Sequence, residues 1–110
     1  MATAAPAADV FHAVADPTRR AILAGLYGGA KPVHEIALPF RVSRPAISKH
    51  LRVLARATLV TQRREGRQNL YQLNPEPLRQ IDQWLDQYRR LWTVNLANLK
   101  QHVESQRDKR

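Results

Sequence analysis

From Asn74 to Gln106 the sequence reads NPEPLRQIDQWLDQYRRLWTVNLANLKQHVESQ. Started by Asn74 or Pro75, it sets Leu78, Ile81, Trp84, Leu85, Tyr88, Leu91, Trp92, Leu96, Leu99 and Val103 in one apolar stripe at helical spacing. A helix of about thirty residues runs to roughly 45 Å, longer than a domain of this size is wide. The stripe therefore exceeds what the small core ahead of it can cover, and the surplus, both tryptophans included, needs a partner. The simplest partner is the same helix of a second copy. We expect a homodimer with Phe11, Leu78, Ile81, Trp84, Leu85, Tyr88, Leu91, Trp92 and Leu99 at its interface.

The remainder of the chain predicts short elements. Residues 1–5 are expected to fray. PAADVFHAVA sets Val10, Phe11 and Val14 on one side of a short helix. In DPTRRAILAGLYGG, Asp16 caps, Pro17 takes the first turn, Ile22, Leu23 and Leu26 face inward, and Gly28-Gly29 supplies the stop. KPVHEIALPF predicts a helix of about two turns, from Pro32 to near Pro39. VSRPAISKHLRVLARA predicts a longer one over 43–57, with Ser43 as N-cap, Pro45 in the first turn and Ile47, Leu51 and Leu54 as a buried stripe. LVTQRREGRQNLYQL, over 59–73, has apolar ends and a turn-forming EGRQN centre, which predicts a β-hairpin with a basic tip.

The order α-α-α-α-β-β-α, mainly α with a small β-hairpin, predicts a winged helix-turn-helix. With no repeat and no linker, the 110 residues form a single domain. Residues 6–74 are expected to form its core, the part that the charge assigns to DNA binding, and 75–105 its long dimerisation helix.

Charge gives the fold its use. Lysine and arginine number 18 against 9 acidic residues, a formal net charge of +9. Between Arg41 and Arg67 stand eight basic residues and Glu65 alone, so this stretch carries +7 of the +9. Such a concentration favours a polyanionic partner. A helix fits the major groove and reads base edges with its first residues. Ser43, Arg44, Pro45, Ser48 and Lys49 are small enough for close approach or long enough to donate. Arg52 and Arg56, further along the helix, suit phosphates. In the hairpin, Arg63, Arg64, Arg67, Gln68 and Asn69 offer donors to the backbone or the minor groove. His50 lies nearer the buried side, where it packs or orients a phosphate contact. Arg19 and Arg20 read as surface partners of nearby carboxylates such as Asp16 in preference to DNA contacts, given the helix they stand on.

ADPTRRAIL, SRPAISKHLRVL and RREGRQNLYQL together resemble the ArsR/SmtB family of bacterial winged-helix repressors, in particular its metal-independent members. The resemblance runs from Phe11 to about Val103. It implies a homodimer built on the first and last helices, bound to an inverted-repeat operator and blocking transcription. It also implies DNA-reading positions at Ser43, Arg44, Pro45, Ser48, Lys49 and His50, with wing contacts at Arg64 and Arg67. The chain departs from the family at Thr58, where many members have glycine after the recognition helix.

Metal, catalysis and membrane insertion find little support. The short helix lacks the Cys-x-Cys pair of soft-metal sensors, the chain having no cysteine at all. The last helix lacks the Asp-x-His and His-x-x-Glu pairs of zinc and nickel sensors, and the four histidines share no ligand spacing. Neither a metal nor any other cofactor is expected. No nucleophile set, phosphate-binding glycine loop or paired carboxylates point to an enzyme. No apolar run spans a bilayer and the start makes a poor signal peptide, so the expected location is the bacterial cytoplasm. Whether a small-molecule inducer acts in the dimer crevice is left open by the sequence. The competing reading is a winged helix that docks proteins without sequence-specific DNA binding; it calls for an apolar or acidic face where this chain is basic.

Overall fold

A computed structural model describes residues 7–108; the expectation for residues 1–5 lies outside them. Helix α1 (Ala7–Val14) buries Val10 and Ala13 completely. Helix α2 (Pro17–Leu26) starts as its sequence dictates: the Asp16 carboxylate accepts the Arg19 backbone N–H at 3.0 Å, and Pro17 occupies the first turn. Ile22, Leu23 and Leu26 enter the core. Gly29, at φ +141°, donates its N–H to the Leu26 carbonyl and closes the helix in a conformation that L side chains avoid.

The next segment departs from expectation. Lys31–Pro32 is a strand, β1, and α3 spans only Val33–Ala37, little more than one turn. Pro32 holds an extended ψ of 162° and pairs with Leu70, so it serves a sheet edge, where its missing N–H costs no ladder bond. After Ala37 the chain continues in tight turns, Leu38 N–H to the Glu35 carbonyl and Phe40 N–H to the Ala37 carbonyl. Helix α4 (Arg44–Arg56) is capped by Ser43, whose Oγ accepts the Ala46 N–H at 3.3 Å. Strands β2 (Val60–Glu65) and β3 (Gln68–Leu73) form the hairpin, and the antiparallel sheet runs β1-β3-β2. Glu65 opposes Gln68 across a two-residue loop; Gly66, at φ +62°, takes the first loop position, where a tight hairpin turn demands glycine.

The junction between α4 and β2 is tightly specified. The Leu59 N–H reaches the Leu54 carbonyl at 3.0 Å and the Thr58 N–H reaches the Ala55 carbonyl at 3.0 Å. This is the Schellman pattern, completed by apolar contact between the fully buried Leu54 and Leu59. It forces Thr58 to φ +56°, the one positive φ outside glycine among the described residues. Asn74 then clamps the far end of the hairpin: its Nδ2 donates to the Thr58 carbonyl at 2.7 Å and its backbone N–H to the Leu59 carbonyl at 2.8 Å.

Val10, Ala13, Ile22, Leu26, Ile36, Ile47, Leu51, Leu54, Leu59 and Val60 form one core beneath α4 and the sheet. Helix α5 (Leu78–Asp108) has 31 residues, about 46 Å at 1.5 Å per residue. Only its first turns touch the rest of the fold: Leu78 and Ile81 pack on the core, and Trp84 meets Phe11 edge-on at 5.5 Å. From Tyr88 onward the helix stands clear, giving the molecule extents of 68 × 36 × 21 Å.

Candidate nucleic-acid interface

Helix α4 divides along its length. Ile47, Leu51 and Leu54 are fully buried, and on the opposite side Pro45, Lys49, Arg52 and Arg56 are exposed in one row. Successive members of that row are three or four residues apart, so the three cations stack one turn above another. Lys49, Arg52 and Arg56 line a shallow depression of about 190 Å³ around Val53. Arg44 is exposed beside the capped N-terminus, while Ser48 is half-buried on the flank. No acidic side chain of α4 offsets this charge, since RPAISKHLRVLAR contains none.

The wing presents its donors on two faces rather than as one cluster. Paired residues share a face of a sheet, so Gln62 and Arg64 lie with Tyr71 and Asn69, while Arg63 and Glu65 lie with Leu70 and Gln68. Within the first set Asn69 Nδ2 donates to Gln62 Oε1 at 2.8 Å. Within the second, Arg63 is 3.5 Å from the Glu65 carboxylate, the only acid between Arg41 and Arg67. Arg64 and Arg67 are exposed, Arg67 in the loop itself. A solvent-exposed ion pair contributes little to stability, so the Glu65 contact holds Arg63 only weakly.

Two arginines have roles different from those the sequence suggested. Arg19 is 9% exposed and is no surface ion-pair partner. Its Nε donates to the Ala13 carbonyl at 2.7 Å and its Nη2 to the His12 carbonyl at 2.8 Å. Arg20 Nη1 donates to the Val14 carbonyl at 2.8 Å. Both guanidinium groups thus donate to carbonyls at the C-terminal end of α1, the His12 carbonyl also accepting the Ala15 N–H at 3.2 Å, and the helix dipole there favours a cation. Nothing in the local sequence of α2 announces this, because the acceptors belong to the preceding helix.

The third guanidinium nitrogen of Arg19 reaches α4, its Nη1 lying 3.4 Å from His50 Nδ1. Asp16 Oδ2 is 4.0 Å from the same nitrogen. The Arg19 backbone N–H donated into Asp16 is the largest influence on that carboxyl and holds it below the ordinary aspartate value, aided by the nearby Arg19 and His50 side chains. His50 therefore sits at the seam between α4 and α2, with a side chain 24% exposed.

The interface residues expected on α5 occupy two settings. Leu78, Ile81 and Leu85 are half-buried, the first two against the core of the same chain. Trp84, Tyr88, Leu91, Trp92 and Leu99 are exposed, and Phe11, Trp84 and Tyr88 form an edge-to-face aromatic series with the last two rings 5.2 Å apart. On the polar side of the helix Arg89 bridges Asp82 and Asp86, and the Asp82 hydrogen bond raises the arginine's pKa further.

A helix-turn-helix domain family matches residues 14–63. The chain is 43% identical over 98 residues to the HTH-type transcriptional regulator Rv2034 of Mycobacterium tuberculosis, an alignment that spans 89% of each protein. It is 40% identical over 77 residues to the transcriptional repressor SdpR of Bacillus subtilis, covering 70% of this chain and 86% of SdpR. The solved structure of an ArsR-like transcriptional regulator from Rhodococcus sp. RHA1 superposes with a TM-score of 0.67 at 34% identity, over 86% of this chain and 90% of that one. The chain belongs to the ArsR/SmtB family. It is a winged helix-turn-helix DNA-binding transcriptional regulator, a class without enzymatic activity. Among the described residues no helix of this ArsR/SmtB protein is long and apolar enough to cross a membrane.

Proposed function

We propose that this ArsR/SmtB protein is a homodimeric repressor that binds an inverted-repeat operator in the cytoplasm. Each protomer lays the N-terminal half of α4 in the major groove and its wing along the adjacent backbone or minor groove. Ser43, Arg44, Pro45, Ser48 and Lys49 face base edges, with Arg44 suited to guanine O6 and N7. Arg52, Arg56, Arg64 and Arg67 hold phosphates, assisted by Arg63, Gln68 and Asn69. The observation that carries this reading is the two-sidedness of α4: its apolar stripe is fully buried while its row of cations is free of acidic neighbours on the helix.

Dimerisation rests on the exposed apolar side of α5. Trp84, Leu91, Trp92, Leu96 and Leu99 are each between 47% and 66% exposed, a burden that a second copy would remove. A dimer places two α4 helices at half-sites about one helical turn of DNA apart, roughly 34–36 Å or a multiple of it. Repression independent of metal is supported by the absence of cysteine and of ligand-spaced histidines.

Selection of duplexes from a random-sequence library by the purified full chain tests this reading. It predicts enriched sites with dyad symmetry, and mapping those sites to genomic positions identifies the regulated genes. Enrichment of asymmetric single sites would refute the dimeric mode of reading, and no enrichment would refute sequence-specific binding.

A further inference from the structure

Arg19 is a buried cation whose three nitrogens each have a polar neighbour. Two are carbonyls of α1, at 2.7 and 2.8 Å, and the third is His50 Nδ1 at 3.4 Å. A buried guanidinium tolerates no donor facing another donor, because each unsatisfied group retains its desolvation penalty. Nη1 can use His50 only if Nδ1 offers a lone pair, and an imidazole with its proton on Nδ1 would set N–H against N–H. Asp16 does not reverse this. Its Oδ2 is 4.0 Å from Nδ1, beyond hydrogen-bond length, and already accepts the Arg19 backbone N–H at 3.0 Å.

We propose that Arg19 is a positioning residue of the DNA-reading surface: it holds His50 in the Nε2–H tautomer, so that α4 presents an uncharged donor to the DNA backbone beside its row of cations. The inference rests on the proposed docking of α4 and deepens it. His50 follows Lys49 of that row, and its ring keeps 24% of its surface open while Nδ1 is turned to Arg19. With Nδ1 committed inward, Nε2 is the donor left for a phosphate oxygen. The same arrangement ties three helices at one point, since Arg19 in α2 grips the carbonyl end of α1 and the side chain of α4. An uncharged donor differs physically from Lys49 or Arg52. It adds a directional hydrogen bond to phosphate but releases no counterion, so it contributes to affinity without contributing to salt dependence.

The tautomer is read without DNA, from two-bond ¹H–¹⁵N correlations of the imidazole in full-length protein above the histidine titration range. The expected pattern is an unprotonated Nδ1 and a protonated Nε2 at His50; the opposite pattern overturns the proposal, whatever the protein does with DNA. Binding is then measured to the duplex most enriched from a random library. In His50→Gln the side-chain amide nitrogen stands where Nε2 stood, and in His50→Asn it stands near Nδ1. His50→Gln should keep affinity within about 3-fold, while His50→Asn should lose about 10-fold per protomer, the scale of one hydrogen bond to a charged group, or about 100-fold on a duplex that holds both protomers, with an unchanged slope of log affinity against log salt. Equal losses in both variants would reduce His50 to packing. A slope shallower by about 1.8 in His50→Asn, about 0.9 for each of the two protomers, would make it a cation on phosphate, and either result overturns the donor role. Thermal melts of both variants confirm that the comparison is between folded proteins. If no duplex is enriched at all, the docking of α4 fails while the tautomer result still stands or falls by itself.

Discussion

Replacing Thr58 with glycine should make the protein more stable, although it removes a side chain and touches neither the core nor the DNA-facing surface. Thr58 is the residue after the α4 C-cap, and two Schellman hydrogen bonds of 3.0 Å hold it at φ +56°. A β-branched residue pays about 1–2 kcal/mol for the left-handed region, because its Cβ crowds the carbonyl oxygen. Glycine escapes that cost but loses more backbone entropy on folding, about 0.5–1 kcal/mol relative to alanine. The half-buried threonine side chain contributes little packing, and the carbonyl that binds Asn74 Nδ2 is backbone and survives the change. The balance is a gain of about 0.5–1 kcal/mol, or a rise in Tm of about 2–6 °C for a domain of this size. Thermal unfolding followed by circular dichroism, at one fixed protein concentration, measures it. Thr58→Ala keeps the Cβ and should recover little of the gain. A lower Tm for Thr58→Gly would refute the assignment of strain to this position.

The other expectations concern the cap, the reading surface and the partner. Asp16 has a depressed carboxyl pKa, so its contribution is complete above the ordinary aspartate value and is lost as pH falls through the lowered one. Asp16→Asn should therefore flatten the acid limb of the stability profile in a pH series of melts, and an unaltered limb would refute the cap's role. Arg44→Ala should relax preference at one base position, at a cost of about 1–3 kcal/mol, on a panel of single-base variants of the selected duplex. Unchanged discrimination would remove Arg44 from base reading. Trp92→Asp should disperse the dimer in sedimentation velocity and weaken operator binding, because one half-site alone binds poorly. A variant that still sediments as a dimer would place the interface elsewhere.

Most of the fold was legible because its signals are local. Asp16-Pro17 and Ser43-Arg44-Pro45 carry capping chemistry within four residues, and Ile47, Leu51 and Leu54 keep the helical period of a buried stripe. β1 escaped notice because two residues, one of them proline, show no alternation; their pairing with Leu70 and Tyr71 is a long-range contact. α3 was expected to be longer for the same reason, since Pro32 looks like a helix start whether or not a sheet claims it. The burial of Arg19 is not legible in the sequence because an arginine beside another arginine reads as surface, and the carbonyls that bind it lie on another helix. The basic residues of α4 and the wing were named from sequence. Their division into a single row on α4 and two opposed faces on the wing needed the register of β2 with β3. The departure at Thr58 was visible as a missing glycine, and its meaning became clear only with its dihedral.

The charge gathered between Arg41 and Arg67 is, on the proposed function, a DNA-binding surface. The most direct test is the affinity of the full chain for its selected duplex, measured by fluorescence anisotropy across a series of potassium chloride concentrations. Six cations per protomer stand ready in Arg44, Lys49, Arg52, Arg56, Arg64 and Arg67. With four or more phosphates neutralised, log affinity should fall against log salt with a slope of about −3.6 or steeper, at about 0.9 per contact. Binding that ignores salt, or no binding at low salt, would contradict it.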